Sequence, residues 1–531
     1  MKKNSFLTGA AILAGAGIFC RLLGLIFRIP LANIVGNFGM GLYQMVFPIY
    51  ALLLIVSSAG IPIAISKMVA KESTAGNHDE CKRILRASIY LLAVIGLFFA
   101  IALFLLSGPI ANLQGNEKVQ KIYFAIAPSI FIVCIISAFR GYFQGLQNMI
   151  PTATSQIIEQ VFKVGFGLTL AVILAPISPE WAVFGAITAI SISEVFALVF
   201  LLIVYMKHKK GQSTADGASP LQEGRVKKAF APRKGDAGLA LNILRQSLPV
   251  TAMAAVFPLI LVFDSLVVIR LLQAAGESNK AATQLFGIST GTVHTLINMP
   301  ATLAIAIATA VVPTVSSLLK QKKIEELRTK CALAVKIIVL IALFFMFFYI
   351  AFSSRVINLL YESAFKDNQE HFRIATWLLR IEATMIVLMA ISAVFAAMMQ
   401  GASKARYPLI AIAAGGAVKI ILQLILIPTS VGIFAVSIGN VVCFAIAGAL
   451  NTWFALRIFK IKGNLTRIWW RLIVLVGVYI ALLIVIALVM PDGKWWIVLG
   501  GAVAFAVYVA LVWVLKIFSR EERKSILGSE K

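Results

Sequence analysis

The sequence predicts an all-α, polytopic membrane protein with about 14 transmembrane helices: two six-helix lobes followed by two C-terminal helices. Two observations indicate this class. First, 60% of the 531 residues are hydrophobic and 13% are charged, whereas soluble domains carry about 25% charged residues. Second, the apolar residues are gathered into runs of about 20 residues or more, the length at which a helix crosses a bilayer.

Each apolar run is interpreted as one membrane-spanning helix. The first run resembles a secretory signal, but its apolar residues continue to Val35, which favours a transmembrane helix. The predicted spans are 6–33, 40–69, 84–109, 120–144, 152–176, 181–206, 243–271, 282–316, 330–353, 372–400, 407–428, 431–457, 468–490 and 496–518. Because proline interrupts the helical ladder, kinks are predicted at Pro30, Pro48, Pro62, Pro258 and Pro300.

The positions of the basic residues predict the orientation. Lys and Arg are concentrated in alternate loops, namely 67–86, 207–245, 320–330, 457–471 and the tail from Lys516. Because such loops stay in the cytoplasm, both termini are predicted to be cytoplasmic. The net charge of +26 is explained by this topology. No aromatic and basic pattern of a nucleic-acid binder accompanies it, so nucleic acid is not expected as a partner.

Composition divides the chain into four parts. We predict an N-lobe at 1–207, a basic cytoplasmic linker at 208–242, a C-lobe at 243–458, and the last two helices with a tail at 459–531. The lobes share a short repeat: Gln144-Gly145 and Gln400-Gly401 each close a fourth helix, followed at the same interval by Lys163 and Lys419. Six spans in each lobe predict parallel repeats with the substrate site between them.

Ionisable residues inside the predicted spans suggest an internal polar path. They are Arg21, Arg28, Glu159, Lys163, Glu194, Asp264, Arg270, Arg380, Glu382 and Lys419. A charge in hydrocarbon costs about 3 kcal/mol or more, so these residues are expected to face water or each other. Cations outnumber acids among them, which predicts a positive lining and an anionic substrate.

Two arginines on the first helix are the leading anion ligands. Arg21 and Arg28 are two helical turns apart, so they share one face. Their planar guanidinium groups match phosphate oxygens. The alternative is that Arg21 extends to the cytoplasmic surface and Arg28 to the outer surface.

Three further cations complete the predicted set: Lys163, Lys419 and Arg380. Glu159 lies one turn before Lys163 and is predicted to pair with it. Lys419 has no acid one turn away, which makes it the better phosphate ligand. Arg380 and Glu382 are two residues apart, so they cannot face each other on one helix.

The remaining acids are candidates for ion coupling. Asp264 and Glu194 lie within spans, where each could be protonated, bind Na⁺ or H⁺, or pair across helices. Glu159 is a third candidate. Arg270, six residues after Asp264, could mark the outer membrane boundary instead.

The eighth span is polar over half its length. His294, Thr295 and Asn298 stand among further hydroxyl residues before Pro300. These side chains are suited to sugar hydroxyls. The alternative is that they form hydrogen bonds between helices.

Several classes of protein are disfavoured by missing patterns. The five cysteines and four histidines are scattered, so no metal site, disulfide framework or cofactor is expected. No nucleotide-binding, hydrolase or metalloprotease motif is present. We therefore expect a secondary transporter rather than an enzyme. Its energy would come from an ion gradient, the membrane potential or the gradient of its substrate.

Several motifs resemble a known family. They are Arg21-x-x-Gly24-x-x-x-Arg28, Ala32-Asn33-Ile34-Val35-Gly36, Gly41-Leu42-Tyr43-Gln44, Gly60-Ile61-Pro62-Ile63-Ala64-Ile65-Ser66-Lys67 and the run 140–151, RGYFQGLQNMIP. They resemble the oligosaccharide flippases of the multidrug/oligosaccharidyl-lipid/polysaccharide (MOP) exporter superfamily. The similarity is greatest to the branch of stage V sporulation protein B and the lipid II flippases.

This resemblance implies a fourteen-helix transporter with a central cationic cavity. Its cargo would be an undecaprenyl-pyrophosphate-linked oligosaccharide, moved across the bacterial plasma membrane by alternating access, with a groove for the lipid tail formed by the last two helices. Arg21 matches an arginine that lines the cavity from the first helix in other family members. Arg28 lies one residue beyond a second basic position of those members. Better-known members carry arginines where this chain has Leu54-Ile55 and His294-Thr295, so the cation set must differ.

The peptidoglycan precursor lipid II is the first-ranked cargo, with teichoic, capsular and spore-cortex precursors as alternatives. Cell-wall or spore-cortex synthesis machinery is the expected protein partner. Three other functions are considered: a cation-coupled multidrug antiporter of the same superfamily, a polytopic cell-wall glycosyltransferase, and a scaffold. A net basic cavity disfavours cationic drugs, and short outer loops disfavour the glycosyltransferase.

Overall fold

The computed structural model describes residues 3–215, 236–366, 368–459, 466–491, 493–519 and 522–523. Regular structure in these ranges is helical throughout. The helices are α1 (Lys3–Leu54), π1 (Ile55–Ala59), α2 (Ile61–Thr74), α3 (His78–Gln114), α4 (Val119–Gly145), α5 (Ile150–Leu174), α6 (Pro179–Ala215), α7 (Asp236–Ala274), α8 (Asn279–Phe286), π2 (Gly287–Val293), α9 (His294–Lys320), α10 (Ile324–Phe365), α11 (Gln369–Gly401), α12 (Arg406–Leu426), α13 (Phe434–Phe459), α14 (Thr466–Val489) and α15 (Lys494–Val514).

Thirteen continuous helical segments of the described chain are long and apolar enough to cross a membrane. The first, Gly15–Thr74, has 60 residues and would be about 90 Å long if straight, enough for two crossings. It is divided at Gly36, whose φ is 66°. Counted as two, it brings the total to the predicted number of about 14, so the predicted fold class is confirmed.

The break in α1 lies between the first two predicted spans, 6–33 and 40–69, because the non-helical backbone angles within this helix are those of Gly36. Pro30 and Pro48 both lie inside the helix, and the kinks at these residues stay a prediction. Glycine adopts a positive φ without strain. The break in α1 therefore lies at a glycine. Pro62 stands at the start of α2, where a missing N–H costs nothing.

Side-chain caps explain where two of the helices begin. The Ser278 hydroxyl accepts a hydrogen bond from the N–H of Ala281 and begins α8. The Asn368 side chain accepts from the N–H of His371 at the start of α11. Both are N-caps that satisfy a helix donor.

The chain divides into two compact units, and the first is Met1–Gly287. Within it α5 packs along α6, α3 along α4, and α1 on α5. Fully buried residues, among them Ile65, Leu85, Phe139 and Leu201, form a core that joins α2, α3, α4 and α6. This packing brings residues of α1, α4, α5 and α6 together inside the unit.

The second unit is Ile288–Lys531. In it α11 packs against α9, α10 and α13, while α12 packs on α13. The last two helices lie on α10. The hydroxyls of Tyr479 and Tyr508 donate to the carbonyl oxygens of Phe344 and Leu340 at 3.2 and 2.9 Å, which fixes α14 and α15 to that helix.

The predicted sequence repeat coincides with a repeated close approach of helices. A Cβ atom added to Gly145 would lie 2.6 Å from the Val69 Cβ, and one added to Gly401 would lie 2.7 Å from the Val312 carbonyl oxygen. Each glycine ends its helix, as predicted. Each is followed two residues later by a non-glycine residue with φ of 59°, Gln147 or Ser403.

Both ends of the predicted linker, 208–242, are helical, because α6 extends to Ala215 and α7 begins at Asp236. The remainder of the predicted linker, 216–235, lies outside the described residues.

Candidate functional site

An arginine of α4 and a glutamate of α5 form an ion pair in the first unit. The Arg140 Nη2 donates to Glu159 Oε2 at 2.9 Å, and its Nε donates to Ser155 Oγ at 3.0 Å. The two charged side chains are 15% and 21% exposed, so they are accessible from one side. Glu159 thus takes its arginine from the neighbouring helix, and its predicted pairing with Lys163 was wrong.

Two further cations of the first unit lie against aromatic rings of α1. The Lys163 ammonium is 5.8 Å from the centre of the Phe27 ring, and the Arg28 guanidinium is 5.2 Å from that of Phe47. Such placements are typical cation–π contacts. We call Arg28, Arg140, Glu159 and Lys163 the cationic cluster; it contains three cations and one acid.

Cys20 lies close to this cluster. Arg140, Glu159 and Lys163 are the charged groups that act on its half-exposed thiol. Arg21, the next residue, is exposed. The face of the first helix that carries Cys20 and Phe27 therefore lies alongside α5.

A second polar group of the first unit is fully enclosed. The Tyr50 hydroxyl and the Ser129 hydroxyl each lie 2.8 Å from Glu194 Oε1, and they lie 2.7 Å from each other. Glu194 is 1% exposed. Tyr50 belongs to α1, Ser129 to α4 and Glu194 to α6, so this triad joins three helices.

The second unit holds its own buried carboxylate. Glu382 of α11 accepts hydrogen bonds at Oε1 from Ser437 at 2.8 Å and Asn440 at 3.2 Å, both on α13. Its Oε2 is 3.6 Å from the Nδ1 of His294 on α9. His294, predicted as a sugar ligand, is therefore next to an acid.

The other two predicted cations of this unit, Arg380 and Lys419, contact neighbouring residues. Arg380 Nε donates to Ser353 Oγ at 2.9 Å, and its guanidinium is 4.9 Å from the centre of the Trp377 ring. Arg380 and Glu382 have separate partners, as their spacing predicts. Lys419 is 2% exposed and packs against Gly439 of α13.

The polar half of the eighth span follows a π-helix. The Thr295 hydroxyl donates to the Gly291 carbonyl oxygen of the same helix, which agrees with a structural role. The half-buried Asn298 accepts a hydrogen bond at its backbone carbonyl from Thr302 at 2.8 Å. The hydroxyls of Ser289 and Thr292 are buried without a hydrogen-bond partner among the described residues. Single π-turns of this kind are frequent at functional sites.

Two residues of α7 have different environments. Asp264 is buried, with 4% of its surface exposed, in agreement with the prediction of an intramembrane acid. Arg270 donates from Nε to the Leu113 carbonyl oxygen at 3.4 Å and from Nη2 to that of Asn112. It covers the C-terminal carbonyls of α3, so the boundary interpretation of Arg270 is the one that its contacts support.

In the described part of the chain, no group of three or more His, Cys, Asp and Glu side chains could hold a metal ion. The sequence prediction missed Arg140, Tyr50, Ser129, Ser437 and Asn440. Arg140 could have been found, because it lies inside the predicted span 120–144 and opens one of the family motifs. The other four are neutral residues, and no pattern distinguishes them.

Comparison with protein families identifies the chain. The family model of polysaccharide biosynthesis proteins matches residues 6–319. The chain belongs to the polysaccharide biosynthesis protein family. A second model, MatE, matches residues 249–425 of this family member.

Two relatives from Bacillus subtilis (strain 168) agree with this membership. Stage V sporulation protein B is 32% identical over 343 residues, which cover 64% of this chain and 64% of that protein. The lipid II flippase MurJ is 24% identical over 445 residues, covering 80% of this chain and 78% of that one.

Solved structures share the fold. A lipid II flippase MurJ in an inward closed conformation has a TM-score of 0.69 at 15% identity, covering 95% of this chain and 99% of that chain. An inward-facing multidrug resistance MATE family transporter of the MOP superfamily has a TM-score of 0.68 at 16% identity, covering 83% and 94%. This polysaccharide biosynthesis family member therefore has the multi-pass fold of these two proteins, as the motifs predicted.

Proposed function

We propose that this protein is a flippase that moves an undecaprenyl-pyrophosphate-linked oligosaccharide, with lipid II as its cargo, to the outer leaflet of the bacterial plasma membrane. The cationic cluster carries the proposal. It consists of three cations and one acid on α1, α4 and α5, inside segments apolar enough to cross a membrane. Charges are retained in such positions where they serve a substrate or ion path.

The physical problem of the proposed reaction matches this cluster. A pyrophosphate head group must cross about 30 Å of hydrocarbon, while its polyprenyl tail can remain in lipid. Guanidinium groups bind phosphate oxygens bidentately and are weakly hydrated. Cations beside aromatic rings are already partly desolvated, so they lose less hydration when they bind an anion.

Within the cluster, Arg140 is the proposed principal phosphate ligand. Glu159 holds its guanidinium at 2.9 Å, so a phosphate that binds there replaces one charge-assisted hydrogen bond by another. This exchange lets the site bind and release cargo without leaving an arginine unpaired. Further positive charge comes from Arg21, Arg28 and Lys163. A smaller role is proposed for Lys419, which is buried, and for Arg380, which donates to Ser353.

Topology and partners follow from the same proposal. The basic segments at 67–86 and 320–330 support cytoplasmic termini by the positive-inside rule, and cargo would then bind from the side where it is synthesised. The similarity to a relative named stage V sporulation protein B supports an association with cell-wall or spore-cortex synthesis machinery. The reaction needs no bond cleavage, and its energy comes from an ion gradient or the membrane potential.

The test is the outward exposure of fluorescent lipid II in proteoliposomes. Wild-type protein is expected to expose the labelled head group to an external quencher or enzyme, and Arg140→Ala is expected to lose most of that rate. Arg373→Ala is the matched control, because Arg373 is an exposed arginine of the second unit. Equal rates for wild type and empty liposomes would refute the proposal.

A second function is favoured by one observation, the structural similarity to a multidrug resistance MATE family transporter. An antiporter for organic cations would use the buried acids Glu194, Glu382 and Asp264 instead of the cationic cluster. Efflux of a norfloxacin-type cation by the same proteoliposomes would support it. The excess of cations in the accessible cluster favours the flippase.

A further inference from the structure

We propose that Glu194, Tyr50 and Ser129 form a proton-binding site, and that the coupling ion of this transporter is H⁺. The inference rests on the proposed function only where it concerns transport. The proton site itself is argued from the three oxygen atoms and from the residues around them.

The first argument is a count of hydrogen atoms. Tyr50 Oη, Ser129 Oγ and Glu194 Oε1 form a closed triangle with edges of 2.7, 2.8 and 2.8 Å. Each edge has the length of an O–H···O hydrogen bond, so three hydrogens are needed. Tyrosine and serine supply one each. A proton on Glu194 Oε1 supplies the third, and every oxygen then donates once and accepts once.

The second argument concerns the other carboxyl oxygen. Glu194 Oε2 is buried and has no hydrogen-bond partner among the residues that the structure describes. An ionised carboxylate carries half of its charge on that oxygen, and an unpaired buried charge is strongly unfavourable. A carbonyl oxygen of a neutral acid is much less costly to leave without a partner. The protonated state therefore fits both oxygens.

The surroundings allow the proton to leave when the helices move. The titratable groups that face Glu194 are Tyr50 from α1, Cys134 from α4, and Glu159 and Lys163 from α5. Glu159 and Lys163 belong to the cationic cluster, so cargo binding changes the field at Glu194. Transfer of the proton from Oε1 to water leaves a carboxylate and one hydrogen fewer in the triangle, so the hydrogen bonds that join α1, α4 and α6 must rearrange.

Infrared spectroscopy of the purified full-length protein in lipid tests the proton site without any cargo. A protonated carboxylic acid has a carbonyl stretching band that carboxylates lack. We expect this band at pH 7 in the wild type and a reduced band in Glu194→Gln. Glu362→Gln is the control, because Glu362 is an exposed carboxylate paired with Lys494, and its loss should leave the band unchanged. A spectrum unaltered by Glu194→Gln would overturn the proton site.

A transport experiment separates this inference from the proposed function. Proteoliposomes with labelled lipid II are given either a pH gradient or a Na⁺ gradient at fixed membrane potential. We expect the pH gradient to raise the wild-type rate at least threefold, the Na⁺ gradient to have no effect, and Glu194→Gln to lose the response to pH. Stimulation by Na⁺ alone would overturn proton coupling. If lipid II is not moved under any gradient but the infrared band is present, the cargo proposal fails and the proton site stands.

Discussion

The Glu159 carboxylate lies 2.9 Å from the Arg140 Nη2, although Lys163 is one turn away on its own helix. The pair crosses from α5 to α4 and is supported by Ser155, which accepts from the Arg140 Nε. An arginine held between a carboxylate and a hydroxyl is pre-organised, so an incoming phosphate finds its donors already oriented.

The first prediction concerns the two members of this pair. Arg140→Ala should lower lipid II exposure by about 10- to 100-fold, because a hydrogen bond to a charged group is worth about 1.5–3 kcal/mol. Arg140→Lys should retain part of the rate, since it keeps the charge but not the bidentate geometry. The measurement is the proteoliposome assay with Arg373→Ala as control. A rate for Arg140→Ala within twofold of the wild type would remove Arg140 from the mechanism.

Much of the fold could be predicted from the sequence, because each membrane helix is specified by a local run of apolar residues. The break of α1 is an example, because the predicted spans end at residue 33 and resume at residue 40, and Gly36 between them has a φ of 66°. The apolar runs do not specify which residue takes this positive φ, although glycine adopts it without strain.

The candidate site could be predicted only in part, because its charged residues are visible in the sequence and their partners are not. Spacing along one helix predicted the pairing of Glu159 with Lys163, but pairing across helices decides the outcome. In the same way, Glu194 was identified as an intramembrane acid, while its partners Tyr50 and Ser129 are 144 and 65 residues away. Packing decides which helices are neighbours, and the periodicity of the sequence does not predict it.

A second prediction concerns Glu382. Replacing it by Ala leaves the donors of Ser437 and Asn440 without their acceptor, and each unsatisfied buried group costs about 1–3 kcal/mol. Glu382→Ala should therefore lower the thermal midpoint of the detergent-solubilised protein by several degrees. Glu382→Gln, which keeps one acceptor oxygen, should lower it less. Equal midpoints for Glu382→Ala and the wild type would show that this group does not stabilise the second unit.

A third prediction uses the repeated glycines. Gly145→Ala and Gly401→Ala both place a Cβ atom within 2.7 Å of the neighbouring helix, so the helices must separate and stability should fall by about 1–3 kcal/mol. Gly165→Ala is the control, because nothing lies within 4 Å of its added Cβ and alanine favours the helix by up to about 1 kcal/mol. Thermal unfolding of the three variants measures the difference. A loss in Gly165→Ala equal to that in the other two would contradict the close approach.

The last prediction concerns the attachment of α14 and α15 to α10. Tyr479 and Tyr508 are buried, donate to backbone carbonyls of α10, and pack edge to face with their ring centres 4.7 Å apart. Each Tyr→Phe change keeps the ring and removes one hydrogen bond, which in a membrane protein costs about 0.6–1.7 kcal/mol. The double variant should lose somewhat more than the sum, because the two residues are in contact. Tyr90→Phe, at an exposed position of α3, should have no effect on the thermal midpoint. If Tyr479→Phe and Tyr508→Phe also left it unchanged, the last two helices would have to be held by their apolar surfaces alone.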